Sequence, residues 1–376
     1  MNGIGSRSIS KVVLLAIALL AALMNIFAIE KVVQPNLKGN TDDNDPIPTD
    51  DDGVKVKDNP TRHKDTTSGD DHGTLPSNIE DATHKNQERQ KIDSDPQILF
   101  HFIVTTSPES FNWRNMKALE AVYFHHPNAE VIIHSRTIPS QHSMFDRFRD
   151  SNYNMRIQNY SFEKILRGST FLNKTKIASF LDVLDERRKR KFWYSHETDL
   201  IRLLLLEQHG GIYIDTDIHF IRPIPSNFIN ILGFQGRGND KVNGAVMMFE
   251  KHNLFIQECL DDAITIASGN YDKRLWEIFG PDLLTRHWNA LKNQTNIVRA
   301  VSSSVFYPYG LYKTKKCFVT PKDEDNPIRE ETIAVHLNNG ITKDYNFTVI
   351  GTVCDDIFKN NCIFCDFNHT IDKSPF

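Results

Sequence analysis

Apolar residues fall into blocks separated by polar, glycine and proline breaks, and the period differs from block to block. Ile98-Leu-Phe-His-Phe-Ile-Val104 and Glu130-Val-Ile-Ile-His134 are short, almost continuous apolar runs, which read as buried strands. Between them, Asn115 to Tyr123 carries a helical pattern that His126-Pro-Asn ends. Strand, helix, strand in that order predicts a parallel sheet with a right-handed crossover. Phe162 to Leu184 reads as a surface-lying helix interrupted at Gly168. The next helix is expected to start at a Ser195 cap, with Glu197 and Asp199 in its first turn, to run through the apolar Leu200–Leu206, and to stop at Gly210 and Gly211. Gly211-Ile-Tyr-Ile is a short buried strand. His219 to Pro225 reads as a strand closed by a proline turn, and Asn243 to Phe249 as another strand. Helices over Phe255–Ala267 and Leu283–Leu291 flank an aromatic loop, Trp276–Asp282. Val305-Phe-Tyr-Pro-Tyr and Thr332–His336 read as late strands, and no internal repeat is visible.

The chemistry concentrates where the Gly211 strand ends. Asp215 and Asp217 lie two apart, so an extended chain points both carboxylates to one side. Like charges that close are costly unless a cation sits between them. Hard divalent cations take oxygen ligands and often bridge to phosphate. In open α/β sheets, ligands bind just beyond the strand carboxyl ends. Together these features suggest a metal held against a phosphorylated substrate. The plain alternative is two solvated turn aspartates; the buried strand and the Gly-Gly break before them argue for the functional reading. The Thr105–Ser107 loop would sit at the same sheet edge, though it lacks a Gly-rich phosphate motif.

The N-terminal hundred residues have a different character. Val12 to Ile29 is an 18-residue apolar run broken only by Asn25, with Arg7 and Lys11 before it. That is long enough to span a bilayer, with residues 1–11 as a cytoplasmic tail and 12–29 as an uncleaved signal anchor. A cleaved signal peptide is the alternative, but no clean Ala-x-Ala site precedes Glu30. Residues 30–96 are rich in Asp, Asn, Lys, Thr, Pro and Gly and read as a disordered stem. The folded domain is then 97–376. The chain's net charge of −4 gives no global case for nucleic acid. The basic run Glu186–Lys191 reads as a solvated face, or as an attractor of an anionic acceptor or membrane surface.

Five Asn-x-Ser/Thr sites, at Asn159, Asn173, Asn293, Asn346 and Asn368, all lie beyond the apolar run and suit a lumenal domain. Of the five cysteines, Cys317, Cys354, Cys362 and Cys365 cluster near the end, and Cys259 stands apart. In an oxidising lumen this reads as a disulfide-stapled C-terminal segment whose pairing the spacing leaves open. Zinc or redox chemistry at Cys362-Ile-Phe-Cys365 is the alternative, and no second motif supports it.

Four segments in order resemble the α-1,4-glycosyltransferases of glycosyltransferase family 32. They are Ile103-Val-Thr-Thr-Ser with the Asn115 helix; His196–Pro223, with Asp199-x-x-Arg202 and Gly210-Gly-Ile-Tyr-Ile-Asp-Thr-Asp217; Asn243-Gly-Ala followed by Phe279-Gly-Pro-Asp-Leu-Leu-Thr285; and Phe306-Tyr-Pro with Ala334-Val-His336. The resemblance implies an α/β GT-A fold (Rossmann-like), a UDP-sugar donor with Mn²⁺ or Mg²⁺, retention of anomeric configuration, a glycolipid or glycan acceptor, and a single-pass type II place in the Golgi membrane. By position, it implies that Asp215 and Asp217 hold the metal, Asp217 directly, with His336 as third ligand. Asp199 and Arg202 would grip the ribose or donor sugar, Thr105 would lie at the nucleotide, and Asn243 and Gly244 would shape the sugar pocket. Asp282 departs from the Gln usual at its Gly-Pro-x position. It either contacts donor or acceptor or caps the helix from Leu283. Other donors (UDP-N-acetylglucosamine or GDP-mannose) and a non-catalytic glycan-binding protein are the alternatives.

Overall fold

The computed structural model describes residues 97–365 apart from 237, 312, 322, 325 and 346–349. The expected tail, membrane span and stem therefore lie outside the described residues, as do Asn346 and Asn368. Among the described residues no helix is long and apolar enough to cross a membrane.

The elements follow the apolar blocks. Strands β1 (Leu99–Val104), β2 (Glu130–Ser135), β3 (Met155–Asn159), β4 (Gly211–Ile214), β6 (Ile231–Phe234), β7 (Val242–Phe249) and β8 (Arg299–Val301) form one mixed sheet in the order β3-β2-β1-β4-β7-β6-β8. A separate antiparallel pair is made by β5 (Ile218–Phe220) and β9 (Ala334–His336). The main helices are α1 (Trp113–His125), α2 (Lys174–Arg188), α3 (Trp193–His209), α4 (Leu254–Ser268), α5 (Pro281–Leu291) and α6 (Val353–Asn360).

β1 pairs in parallel with both β2 and β4, as the strand–helix–strand order requires. The chain moves outward from β1 through β2 to β3, then returns to place β4 on the other side of β1. That reversal makes a topological switch point between β1 and β4, where a crevice opens beyond the strand carboxyl ends. β7 runs antiparallel to β4 and β6, so the sheet is mixed.

Both faces of the sheet are covered. On one face, His101 and Ile103 of β1 and Tyr213 of β4 meet α2, α3, α4 and α5. On the other, Phe100, Phe102, Ile212 and Ile214 meet α1 and the β5 strand. A smaller C-terminal core gathers Cys317, Phe318, Val335, Cys354 and Phe358.

Four expectations need correction. α3 starts at Trp193, so Ser195 lies inside it and Phe192 occupies the cap without a side-chain bond. Glu197 is wholly buried and serves the Trp193 indole (2.8 Å) and Arg136 (3.2 Å) rather than the helix dipole. The run from Val305 is not a strand: Ser303–Phe306 is a helical turn capped by the Ser302 hydroxyl, and Pro308 lacks the N–H a ladder needs. The strand expected over His219–Pro225 shrinks to β5, because only Ile218–Phe220 find partners on β9.

The cysteines pair as Cys317–Cys354 and Cys362–Cys365, and Cys259 is free and buried in α4. The Cys-x-x-Cys pair is thus a disulfide rather than a metal clamp. The chain-entropy account makes their contributions unequal, because their sequence separations are 37 and 3. Replacing Cys317 and Cys354 together by serine is expected to lower unfolding stability by about 4 kcal/mol, and replacing Cys362 and Cys365 by under about 2 kcal/mol. Denaturant melts of the two double variants check this, and equal losses would count against it.

Candidate active site

The site is built by the end of α3, the break after it and the turn beyond β4. Gly210 and Gly211 both adopt positive φ, 66° and 93°. A Cβ on Gly210 would lie 2.5 Å from the Lys251 nitrogen, and one on Gly211 would lie 2.7 Å from the Leu99 carbonyl oxygen. Glycine alone allows the helix to stop and the chain to enter the sheet beside β1 at this spacing.

Beyond β4 the chain does not stay extended. The Ile218 N–H donates to the Asp215 carbonyl (3.1 Å), closing a turn over residues 215–218. The two carboxylates therefore meet through a turn rather than through strand alternation. Asn115 holds the middle of that turn: its Nδ2 donates to the Thr216 carbonyl at 3.0 Å, while its Oδ1 accepts from the Asn112 N–H at the start of α1. Thr105 follows the last residue of β1 at the same edge.

The β5–β9 pair brings in the third group. Ile218 pairs with His336, and the Leu337 N–H donates to the Asp217 carbonyl at 3.0 Å. His336 Nε2 then lies 3.2 Å from Asp217 Oδ1. One ligand atom from each of Asp215, Asp217 and His336 falls within 4.8 Å of the others. Burial alone would raise the Asp217 carboxyl, but the His336 imidazole, the Asn339 N–H at 2.8 Å and the Arg114 charge outweigh it and hold the pKa down at about 2. Burial disfavours charge on His336 too, and Asp217 overcomes that, so its pKa is raised.

Behind the turn sits a buried ion pair. Arg202 Nη2 lies 2.8 Å from Asp199 Oδ1 and 3.9 Å from Asp215 Oδ1, and Nη1 donates to the Gly244 carbonyl at 2.6 Å. The guanidinium stacks over the Tyr213 ring, 4.6 Å from its centroid, and the Tyr213 hydroxyl donates to Asp215 Oδ1. Burial lifts the Asp199 carboxyl to about 7 despite the Arg202 charge, with Asp215 and Glu277 adding to the rise. Burial likewise pushes the Tyr213 hydroxyl up, so it remains a donor. Gly244 and Gly280 are small because this pair is close. A Cβ on Gly244 would stand 2.7 Å from Arg202 Nη1, and one on Gly280 would stand 3.2 Å from both Asp199 oxygens.

Beside His336 a cleft is lined by Gln235, Asn243, Tyr307, Leu311 and Asn338. The Asn243 Oδ1 accepts from the Ala245 N–H (2.7 Å), and the Tyr307 hydroxyl accepts from the Val246 N–H (3.0 Å). Gln235 Oε1 is buried with no partner among the described residues. The cleft is small, about 20 Å³, and sets these amides and the Tyr307 ring beside His336.

Asp282 does not cap its helix. α5 starts at Pro281 with Gly280 as its cap, and Asp282 turns outward to Lys241 at 2.8 Å. Lys241 also holds Glu277, so these three charges form the rim above Asp199. Of the described glycan-site asparagines, Asn173 caps α2 through its Oδ1. Asn159 donates both hydrogens of Nδ2, to the Ser135 and Ile138 carbonyls, so a glycan there would break one of these bonds. Asn293 is exposed. Sequence reasoning missed Asn115, Tyr213, Tyr307 and Gln235. Tyr213 had a readable signal, since it stands two before Asp215 in a strand. The others act across long separations that no local pattern shows.

Residues 112–235 match a family model described as a glycosyltransferase sugar-binding region containing a DXD motif. Residues 248–367 match one described as an alpha 1,4-glycosyltransferase conserved region. An uncharacterized protein of Arabidopsis thaliana is 29% identical over 262 residues, which cover 64% of this chain and 38% of the relative. The lactosylceramide 4-alpha-galactosyltransferase of Mus musculus is 28% identical over 63% of this chain and 66% of its own. The alpha-1,4-N-acetylglucosaminyltransferase of Homo sapiens is 26% identical over 51% of this chain and 56% of its own. The chain thus spans less than two thirds of the length of each of these relatives. The first matched region holds Asp199, Arg202, Asp215 and Asp217 and the second holds His336, and on these two regions the chain belongs to the DXD-containing α-1,4-glycosyltransferases.

Proposed function

We propose that the chain is a metal-dependent hexosyltransferase on a GT-A scaffold, moving a hexose from a UDP-sugar to a hydroxyl of a glycan or glycolipid acceptor with retention of configuration. The observation that carries this reading is the gathering of Asp215, Asp217 and His336 at the switch point between β1 and β4. Two carboxylates and one imidazole suit Mn²⁺, with Mg²⁺ the nearest substitute. The fit is supported by spacing: three ligand atoms within 4.8 Å of one another can share one ion. Such an ion supplies charge neutralisation to a departing diphosphate.

The chain's own residues do the rest. Arg202, fixed by Asp199, Gly244 and Tyr213, holds a positive charge behind Asp215 that favours an anionic donor. Asn115 fixes the turn that carries both acids. Gln235, Asn243 and Asn338 supply amides and Tyr307 an aromatic ring beside His336, next to where the transferred sugar would lie. Thr105 stands at the nucleotide's edge of the crevice. Asp282, paired with Lys241 on the rim, faces the donor or acceptor entrance rather than the metal. The same amide lining would also take N-acetylglucosamine, the donor sugar that the human relative's name implies, so UDP-N-acetylglucosamine is the second donor reading. The compartment proposed is the Golgi lumen, with Val12–Ile29 as a type II anchor. Two disulfides in the C-terminal segment support an oxidising compartment.

Asp217→Asn is expected to lower Mn²⁺-dependent UDP-sugar turnover on the order of 10²–10³-fold while circular dichroism stays native. Undiminished turnover in that variant would sink the reading. Because His336 is protonated more readily than a free histidine, an ion must displace its proton. Its sign is therefore fixed: metal affinity falls as pH drops below the His336 pKa, by about tenfold per unit. Calorimetric Mn²⁺ titrations over a pH series check this, and His336→Gln should flatten the slope.

A further inference from the structure

The ladder between β6 and β7 breaks at one place. Leu232 pairs with Met247 but Gly233 pairs with Asn243, so residues 244–246 have no partner on β6. Bulges redirect side chains and recur beside active sites. Here the freed backbone groups are used again. The Gly244 carbonyl accepts from Arg202, the Ala245 N–H donates to Asn243 Oδ1, and the Val246 N–H donates to the Tyr307 hydroxyl. Gly233 makes room for the Tyr307 ring, since a Cβ there would stand 2.8 Å from its Cε2. The ring centroid of Tyr307 lies 5.8 Å from that of His336. The break thus brings Asn243 and Tyr307 to the small cleft beside His336, which Gln235 and Asn338 complete.

The walls of this cleft keep hydrogen-bonding capacity that the described residues do not use. Gln235 is fixed by its main chain, whose N–H donates to the Lys241 carbonyl at 2.8 Å. Its carboxamide has no partner among the described residues, and Oε1 is buried. Asn243 accepts through Oδ1 and keeps both hydrogens of Nδ2. Tyr307 accepts through its hydroxyl and keeps the proton. Asn338 gives its Nδ2 hydrogens to Thr314 Oγ1 (2.7 Å) and the His336 carbonyl (3.2 Å) and keeps Oδ1. A buried acceptor without a partner is costly, so one beside a ligand site calls for a partner from outside the chain.

Volume and charge narrow the occupant. About 20 Å³ holds one oxygen-sized group and no more. No lysine or arginine lines the cleft, so it does not suit a phosphate. A hydroxyl both donates and accepts, and the unused groups match it: Gln235 Oε1 and Asn338 Oδ1 accept, while Asn243 Nδ2 and the Tyr307 O–H donate. We propose that this cleft reads a single hydroxyl of the donor sugar, with Gln235 as the residue that sets specificity for it. The inference rests on the transferase reading above. It adds the requirement that the sugar carbon entering the cleft carries a bare hydroxyl.

The test pairs donor analogues with variants of the full chain. Of UDP-galactose and UDP-N-acetylglucosamine, the one hydrolysed faster with Mn²⁺ is the parent. It is compared with analogues deoxygenated singly at each hydroxyl-bearing carbon of the sugar. With the wild type, one analogue is expected to lose about 10²-fold or more in kcat/KM and to bind correspondingly more weakly by calorimetry, because a site built to bond a hydroxyl is left unpaired without it. In Gln235→Leu the parent should fall to the level of that analogue, and the analogue should lose nothing further. Gln235→Glu keeps an acceptor of the same reach and should recover most of the discrimination. Affinity for Mn²⁺ and UDP alone, measured without a sugar, should be the same in both variants as in the wild type. Equal losses across the analogues would overturn the proposal, as would a parent-to-analogue ratio that survives Gln235→Leu. Weakened UDP affinity in Gln235→Leu would also overturn it, by giving the cleft to the metal or the nucleotide. A wild type that hydrolyses neither parent would sink the transferase reading and this inference with it, whereas hydrolysis without coupling sinks this inference alone.

Discussion

One buried guanidinium governs how the site is assembled. Arg202 lies in a helix packed on all sides, where an unpaired charge would cost several kcal/mol. Its satisfaction draws in four elements: Asp199 from its own helix, the Gly244 carbonyl from β7, the Tyr213 ring from β4 and, more distantly, Asp215 from the turn. Each contact requires close approach, and the glycines follow from that. A side chain at Gly244 would strike the guanidinium, and one at Gly280 would crowd the Asp199 oxygens. Gly244 of β7 and Gly280 at the cap of α5 are thus consequences of one ion pair.

The acid turn shows the same dependence in a different form. Asp215 and Asp217 could repel each other apart, but the turn is held from three sides. The Ala245 carbonyl accepts from the Asp215 N–H, Asn115 donates to Thr216, and the β9 end binds Asp217 through Leu337 and His336. The energetic consequence is visible in Asp217. A buried carboxyl ought to be hard to ionise, yet its neighbours keep it a carboxylate down to about pH 2. The charge is in place before any ligand arrives, which is the condition for electrostatic preorganisation.

Sequence and structure agree where the physics is local. The strands of the parallel half were readable because both of their faces are covered and they appear as continuous apolar runs. The helix stop at Gly210 was readable because positive φ selects glycine. What was not readable depends on distant pairing. His336 was named through the family resemblance and not by any local pattern, because it reaches Asp217 through the pairing of β9 with β5 outside the main sheet. The run from Val305 has strand composition, but its serine cap and Pro308 decide its form. Asp282 looked like a cap in isolation, and only Lys241, contributed from the start of β7's loop, reveals its partner. The turn geometry at Asp215 was misjudged for a related reason: alternation applies only while strand pairing continues, and pairing ends at Ile214.

The two charge assemblies on α3 have opposite characters, and the helix explains why both are tolerated. Toward the turn, acids outnumber the single guanidinium, and the surplus suits a cation and its diphosphate. Near its N-terminus, lysines and arginines crowd a surface where the helix dipole is itself positive, an arrangement that stabilises neither the helix nor the cations. The fold absorbs that cost locally. Arg187 donates to the Ala267 carbonyl at the carboxyl end of α4, where the dipole is negative, and Arg190 stacks on Tyr271. The lysines are compensated from nearby too: Lys189 pairs with Glu186 at 2.6 Å, and the Lys191 ammonium lies 5.1 Å from the centroid of the Phe192 ring.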